Sequence, residues 1–562
     1  MNNVKEIVTE SFKSLGYDID ATIIKSNRPD LCDYQCDDLF KVAKNYHENP
    51  IVTGEKVVEY INNIDNFNDY FSEVSFAKPG FINIKLSDKL INKTLNDIYN
   101  SEDFNIEKNN KDVYFLDYGG PNVAKPLHVG HLRTAIIGES IKRIINFKGC
   151  KTIADVHLGD YGLQIGEVIY DILENNIKLE DITLEYLDES YPRMSKRCKE
   201  DENLLKKCAD ITKQLQDGNL EYNKIWKKIY EVSLEDIKDL YKYLDVSFDL
   251  WEGESDCYQY IKAVEKELND KNLLIESEGA KVIEVSLDTD NKEVPPLIFQ
   301  KSNGAYLYGT TDLGAIYERV TKYNPNHILY ITDLRQGMHF EQVFRASKKW
   351  GITTNINLKH LGYGTVNGSD GKPFKTRSGD TIKLRELLNL VKKTFIDTKE
   401  SNKDMSDVDL DIITNAIIKF ADLQNNFEKD YIFDINKFSN VTGKTGPYIL
   451  YTYLRMNKIL TQEKLDIANL NNNIYNIHDR NLRLKILQLN NAIDSAFTEF
   501  KPHYIAEYLY DLCVLTNIFY QNNHITNNKE ESKQEWLLLL TLNNKIIKKL
   551  LNLLAIEIPS KM

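Results

Sequence analysis

The sequence predicts an α/β protein: a parallel-sheet core, preceded by an N-terminal α/β segment and followed by a C-terminal helical bundle. Three observations carry this reading. First, Val113-Tyr114-Phe115-Leu116 is a short apolar run that ends at Gly119-Gly120-Pro121, residues 130–147 are apolar at helical spacing, and Ile153 to Val156 is a second short run. Strand, helix and strand at that separation make a parallel βαβ unit. Second, from 405 onward the pattern is almost wholly helical, with runs at 446–461, 480–499, 503–522 and 534–555, which reads as a bundle. Third, before residue 105 helical spacing (3–15, 36–47, 54–64) gives way to period-two alternation in Gly80-Phe81-Ile82-Asn83-Ile84-Lys85-Leu86, a strand.

The remaining elements follow in order. The helix over 36–47 runs into Asn49-Pro50, and residues 100–111 are polar and Asn/Lys-rich, a linker. Gly149 stops the helix over 130–147. Residues 170–275 are charged and helical and decorate the sheet, and strand-like runs return at 281–287, 296–300, 305–308 and 327–331. With 562 residues, about three or four domains are expected. We place their bounds at 1–108 (N-terminal, α/β), 109–400 (parallel-sheet core with helical insertions) and 401–562 (helical).

Composition excludes several classes. Hydrophobic residues at 42% and charged residues at 28% are those of a folded chain. The net charge of −13 excludes a uniformly basic protein that coats nucleic acid. The charge is uneven, however. Residues 1–105 hold 11 Lys+Arg against 18 Asp+Glu, whereas residues 440–562 hold 14 against 11, so the C-terminal end is the part suited to a polyanion. No stretch reaches the ~18 uncharged apolar residues of a membrane helix, and MNNVKEIVTE lacks a signal-peptide core. Seven scattered cysteines, of which only Cys32 and Cys36 are close, suggest free thiols in a reducing cytoplasm and no structural metal.

In open parallel sheets ligands sit at the carboxyl ends of the strands, so the loop 117–131 is the first place to look for chemistry. It contains Pro121-Asn122-Val123-Ala124-Lys125-Pro126-Leu127-His128-Val129-Gly130-His131. Two histidines three apart at a helix start share one face, and the helix N-terminus adds free N–H groups and partial positive charge. Gly130 leaves room for a ligand to approach the backbone. Such a site suits a triphosphate whose charge is stabilised during displacement. Two polar residues capping a helix would be the plainer explanation; Asn122 and Lys125 in the same loop favour function. Two other motifs fail. Gly443-Lys444-Thr445 has Phe438 where a P-loop needs its first glycine, and Gly362-Tyr363-Gly364 has Asn367 where a dinucleotide fingerprint needs its third.

The loop resembles the HIGH signature of class I aminoacyl-tRNA synthetases, and the longer string PNVAKPLHVGHLRTAIIGE is similar to that of the arginyl-tRNA synthetase family. HLGDYGLQIG (157–166), AYLYGTTDLGAI (305–316), DLRQGMHFEQ (333–342), AKPGFINIKL (77–86), GPYILYTYLRM (446–456) and the closing IEIPSKM resemble further family segments, in order, over nearly the whole chain. The run Lys372-Pro373-Phe374-Lys375-Thr376-Arg377-Ser378-Gly379 resembles a degenerate KMSKS loop. The resemblance implies a Rossmann-like catalytic core, an N-terminal tRNA-binding domain and a C-terminal anticodon-binding domain. It implies ATP-dependent activation of L-arginine to arginyl-adenylate, then transfer to the terminal adenosine of tRNA(Arg), with adenylate formation dependent on bound tRNA. Lys125, His128, Gly130 and His131 would meet ATP, with Lys375 and Arg377 closing over its phosphates. Mg²⁺ would accompany ATP as a substrate complex, without a protein cage.

A guanidinium pairs best with carboxylates. Asp117 and Asp312 occupy positions that in the family are acidic and near the substrate. Tyr308 would pack on the guanidinium plane or bond it, Asn122 would take the amino or carboxylate end, and His131 and Gln336 match further substrate positions. Asp312 is also expected to cap a helix over 313–321. His157, Gly159 and Asp160 help shape the site; the family usually has asparagine where this chain has Val156. Tyrosines at helical spacing are usually core, but the resemblance assigns Tyr448, Tyr451 and Arg455 to tRNA. A monomer working in the cytoplasm, away from membranes, completes the expectation. The rivals are another class I synthetase, a nucleotidyltransferase that never meets tRNA, and a non-catalytic RNA-binding relative. Against the first stand the chain length, the missing zinc ligands and the two aspartates; against the second, the long helical end; against the third, the retained Lys125, His128, His131 and Asp312.

Overall fold

The computed structural model describes residues 2–368, 371–372, 382–398, 400–471, 473–525 and 530–562. The chain divides into two compact units. One comprises Met1–Ile106, Thr452–Ala492 and Tyr510–Ile547; the other comprises Glu107–Tyr451, Ile493–Leu509 and Lys548–Met562.

The second unit is built on a four-stranded parallel sheet. Its strands are β1 (Val113–Asp117), β2 (Lys151–Asp155), β3 (His327–Tyr330) and β4 (Asn357–His360), in the order β4-β3-β1-β2. Helix α1 (Val129–Phe147) makes the crossover from β1 to β2, and Gly149, with φ of +88°, turns the chain back after it. The chain that leaves β1 goes to one side, and β3 enters from the other, so the switch point of the sheet lies between β1 and β3. The register places Tyr330 opposite Asp117 and His360, and Asp117 opposite Asp155. Four chemistry-bearing side chains thus end the four strands in one row. Phe115, Ile153, Ile328 and Tyr330 pack there with Leu313, Ile316, Phe340 and Trp350 from the covering helices α3 (Tyr308–Tyr323) and α4 (Gly337–Trp350). Helix α2 (Leu184–Glu200) belongs to the insertion between β2 and α3.

Helix α5 (Asp407–Leu423) is tied to α1 by a buried ion pair. Arg133 Nε and Nη2 donate to the two oxygens of Asp422 at 2.8 and 3.2 Å, and Nη1 donates to the Gly364 carbonyl at 2.6 Å. The rings of Tyr363 and Tyr431 flank the guanidinium at 5.7 and 5.1 Å.

The first unit holds a four-stranded antiparallel sheet, in the order Ile24–Lys25, Tyr34–Cys36, Phe81–Leu86, Phe71–Ala77. The period-two strand expected over 80–86 is its third member. Arg480, on helix Ile477–Ile486, donates to Asp33 and Asp88, and the fully buried Arg483 donates to Asp479 and Asn92. These bonds join that helix to the N-terminal sheet and the helix Asp88–Asn100.

The structure corrects three expectations. Residues 305–308 are not a strand: Tyr306 makes only an isolated bridge with Gln300, and helix α3 already starts at Tyr308. Asp312 therefore lies inside a helix and caps nothing; Leu307, with extended backbone, is the N-cap. The helix expected over 480–499 is two, Ile477–Ile486 and Leu489–Glu499. Among the described residues no helix is long and apolar enough to cross a membrane.

Candidate active site

The loops after β1 and β2 run side by side, zipped by backbone bonds: Tyr118 to the Asp155 carbonyl, Gly120 to that of Val156, Gly159 to that of Pro121, and Val123 to that of Gly159. A Cβ on Gly159 would stand 2.2 Å from Asn122 Oδ1, so only glycine lets the Asn122 amide lie across the turn. This pairing orients the sequence-predicted Asn122 at the switch point.

His128 is the N-cap of α1. Its Nδ1 accepts a bond from the Gly130 N–H at 3.0 Å, and its own N–H donates to His131 Nδ1 at 3.2 Å. The two rings stack with centroids 3.9 Å apart. Because each Nδ1 accepts, the proton of each neutral ring resides on Nε2, where it can be donated to a ligand oxygen. Burial, then the charge of Lys125, pushes the His128 pKa down to about 4; burial, then His128 and Lys125, holds His131 well below the ordinary histidine value. Near neutral pH both rings are uncharged donors, and the positive charge of this loop belongs to Lys125. Burial also lowers the Lys125 pKa, and its Nζ sits 5.6 Å from the ring centre of Tyr191 on α2.

Lys375 and Arg377 lie outside the described residues. The chain that follows them is stitched to the histidine loop. Leu384 N–H donates to the Leu127 carbonyl at 2.8 Å, Lys383 bridges His128, and Lys383 Nζ pairs with Asp188 of α2 at 2.6 Å.

The carboxylates at the strand ends divide into two sets. Asp117 is paired at 2.7 Å with the buried Arg319 of α3, which also reaches Asp155 at 3.2 Å and lies over the rings of Phe115 and Tyr330. An internal guanidinium thus already meets the charge of Asp117. Asp312, in contrast, is partly buried on α3, with its Oδ2 2.5 Å from His339 Nε2 on α4. Tyr308, one turn earlier, is 62% exposed.

Sequence reasoning missed Glu254. It follows a segment that pairs beside the loop after β2, with Leu158 N–H donating to the Glu252 carbonyl at 2.8 Å and Glu254 N–H to the Leu158 carbonyl at 3.0 Å. Burial, then the negative fields of Asp160 and Asp312, pushes its pKa up to about 7, against His157. Its field also reaches Tyr308. Among the described residues Glu254 forms no ion pair. No periodicity marks this residue in the sequence, because its place depends on a pairing with Leu158, 96 residues earlier. Gln336 is exposed in the turn that opens α4, one turn before His339.

The three candidate RNA residues lie on helix Gly446–Gln462. Tyr448 is partly buried and Tyr451 is 43% exposed, whereas the Arg455 guanidinium stands 4.4 Å over the ring of Tyr520.

Comparison with known proteins gives a consistent result. Three family models match: the catalytic domain of class I tRNA synthetases (R) over residues 94–435, the DALR anticodon binding domain over 449–562, and the arginyl tRNA synthetase N-terminal domain over 2–86. An arginine–tRNA ligase of Alkaliphilus oremlandii is 39% identical, covering 100% of this chain and 99% of its own length. One of Agathobacter rectalis is 40% identical with the same coverage. The crystal structure of an arginyl-tRNA synthetase from Plasmodium falciparum superposes with a TM-score of 0.82 at 29% identity, covering 100% of this chain and 99% of that one.

Proposed function

The chain belongs to the arginyl-tRNA synthetase family, and from that premise we propose how its own residues carry the reaction. The activity is ATP-dependent ligation of L-arginine to tRNA. The arginine carboxylate attacks the α-phosphorus of ATP, pyrophosphate leaves, and the terminal tRNA adenosine takes the arginyl group from the adenylate. No side-chain nucleophile is needed; positioning and charge neutralisation supply the rate.

The single observation that carries the assignment of roles is that both imidazole Nδ1 atoms at the start of α1 accept backbone N–H groups, which leaves Nε2 of each ring to donate. They are proposed to donate to phosphate oxygens as charge moves onto the leaving pyrophosphate, beside the cation of Lys125 and the positive end of the α1 dipole. Lys375 and Arg377 are proposed to add charge from the segment that leads to Lys383. Mg²⁺ would arrive bound to ATP, whose phosphates supply the oxygen ligands it prefers.

For arginine, Glu254 and Asp312 are proposed to hold the guanidinium, with Tyr308 over its plane and Asn122, His131 and Gln336 toward the amino-acid end. Asp117 is proposed to act from beneath, fixing Arg319 and the floor of the pocket. Tyr448, Tyr451 and Arg455 are proposed to meet tRNA. The bounds 1–108, 109–400 and 401–562 are kept as the functional division, and a cytoplasmic monomer as the working form.

Pyrophosphate exchange into ATP, run with and without arginine and with and without total tRNA, tests the reaction. Exchange is expected only with arginine and tRNA together. Exchange with arginine alone would remove the tRNA dependence, and no exchange under any condition would refute the assignment.

The raised pKa of Glu254 gives a pH dependence with a definite sign. Arginine keeps its positive charge throughout, and Glu254 opposes that charge only when ionised. The KM for arginine is expected to rise as pH falls through about 7 and to level off above it. Glu254→Gln should raise the KM and flatten this profile; steady-state kinetics between pH 6 and 9 (a span of about three units around the usual histidine-to-thiol range) measures both.

A further inference from the structure

We infer that His339 is a positioning residue for arginine recognition: it holds one oxygen of Asp312 so that the other oxygen, with Glu254, presents a fixed two-carboxylate fork to the guanidinium. The inference rests on the reading of Asp312 and Glu254 given above and adds what orients them.

Asp312 sits mid-helix with a rotatable carboxylate, partly exposed, and its side chain has no backbone cap to fix it. His339 supplies the missing restraint from a different helix, through Nε2 at 2.5 Å from Oδ2. The imidazole is itself held. Its ring lies edge-on to Phe340 at 5.3 Å, and Phe340 stacks on His360 at 4.8 Å. His360 Nε2 is 2.9 Å from the hydroxyl of Thr332, which follows β3. The restraint is therefore anchored to the sheet rather than to the mouth of the site. Burial works against a charge on His339, but the bond to Asp312 and its field outweigh it and hold the pKa above the ordinary histidine value.

A histidine held against Asp312 has two opposing effects. When the ring is protonated its charge weakens the attraction of Asp312 for a cation, and in either state its bond removes the rotational freedom of the carboxylate. Planar bidentate recognition depends on geometry, and a site left to its own rotamers loses that alignment. The positioning effect is inferred to dominate.

The test compares Asp312→Asn, His339→Ala and His339→Gln in the full chain, with KM for arginine, KM for ATP and kcat measured in tRNA charging. His339→Ala is expected to raise the arginine KM about tenfold, the size of one bond to a charged group, with ATP KM and kcat little changed. His339→Gln, which keeps an N–H donor, should recover most of that loss. A fall in the arginine KM of His339→Ala would mean that the charge effect dominates and overturns the inference. So would an unchanged KM, or a loss shared equally by arginine and ATP. An unchanged arginine KM in Asp312→Asn would instead remove Asp312 itself from the pocket, which separates failure of the underlying reading from failure of this one.

Discussion

His131→Ala is expected to slow adenylate formation by roughly 10²–10³-fold, the effect of removing one preorganised donor from a transition state that develops negative charge. The structural cost should be small beside this. His131 accepts the His128 N–H in the first turn of α1, and losing a cap bond costs about 1 kcal/mol, against the roughly 2.7–4 kcal/mol that such a rate loss represents. The two effects separate experimentally: pyrophosphate exchange should fall by orders of magnitude while tRNA binding and the thermal midpoint move little. Equal losses in exchange and tRNA binding would count against a role on the phosphates. Because the ring is neutral, its contribution should also persist unchanged across the ordinary histidine titration range. The depressed pKa values predict no loss of activity from these two rings as pH rises through 6.5.

Asp422→Ala is expected to be the most destabilising single change in the catalytic unit. Arg133 and Asp422 side chains are each only 1% exposed, so removing the carboxylate strands a guanidinium that no solvent can reach. Breaking one half of such a pair costs about 3–5 kcal/mol. Replacing both residues by apolar ones of similar volume should cost far less, since a buried pair roughly balances its own desolvation. The measurement is the thermal midpoint of the single and double variants; a chain of two units does not justify a fitted two-state free energy. Exchange activity should fall with the single variant, because the pair anchors the helix whose first turn holds His128 and His131. A single variant as stable as the parent would show that Arg133 finds another partner.

The strand β1, helix α1 and strand β2 were legible because their signals are local. An apolar run of four residues, a 3.6-residue period and a glycine stop depend on the backbone and on nearby side chains alone. The same holds for the histidine loop, whose chemistry is written in eleven consecutive residues. Boundaries failed where a polar residue had two local readings. Asp312 looked like a cap because aspartate favours that position, yet burial of Leu313 and Ile316 against the sheet drew the helix start back to Tyr308.

The sequence by itself determined the order of the elements and put the histidine loop at the carboxyl end of the first strand. Only the tertiary structure decided which of the nearby acids are paired with internal cations. Asp117 and Asp312 are equivalent as letters, but the first is paired with the buried Arg319 and the second with His339. Glu254 joins Asp312 through a pairing with the loop after β2, and His339 fixes Asp312 from another helix. Ion pairing and desolvation act through space, over a few ångströms, between residues that the chain keeps tens to hundreds of positions apart. Periodicity and local propensity carry no record of such distances.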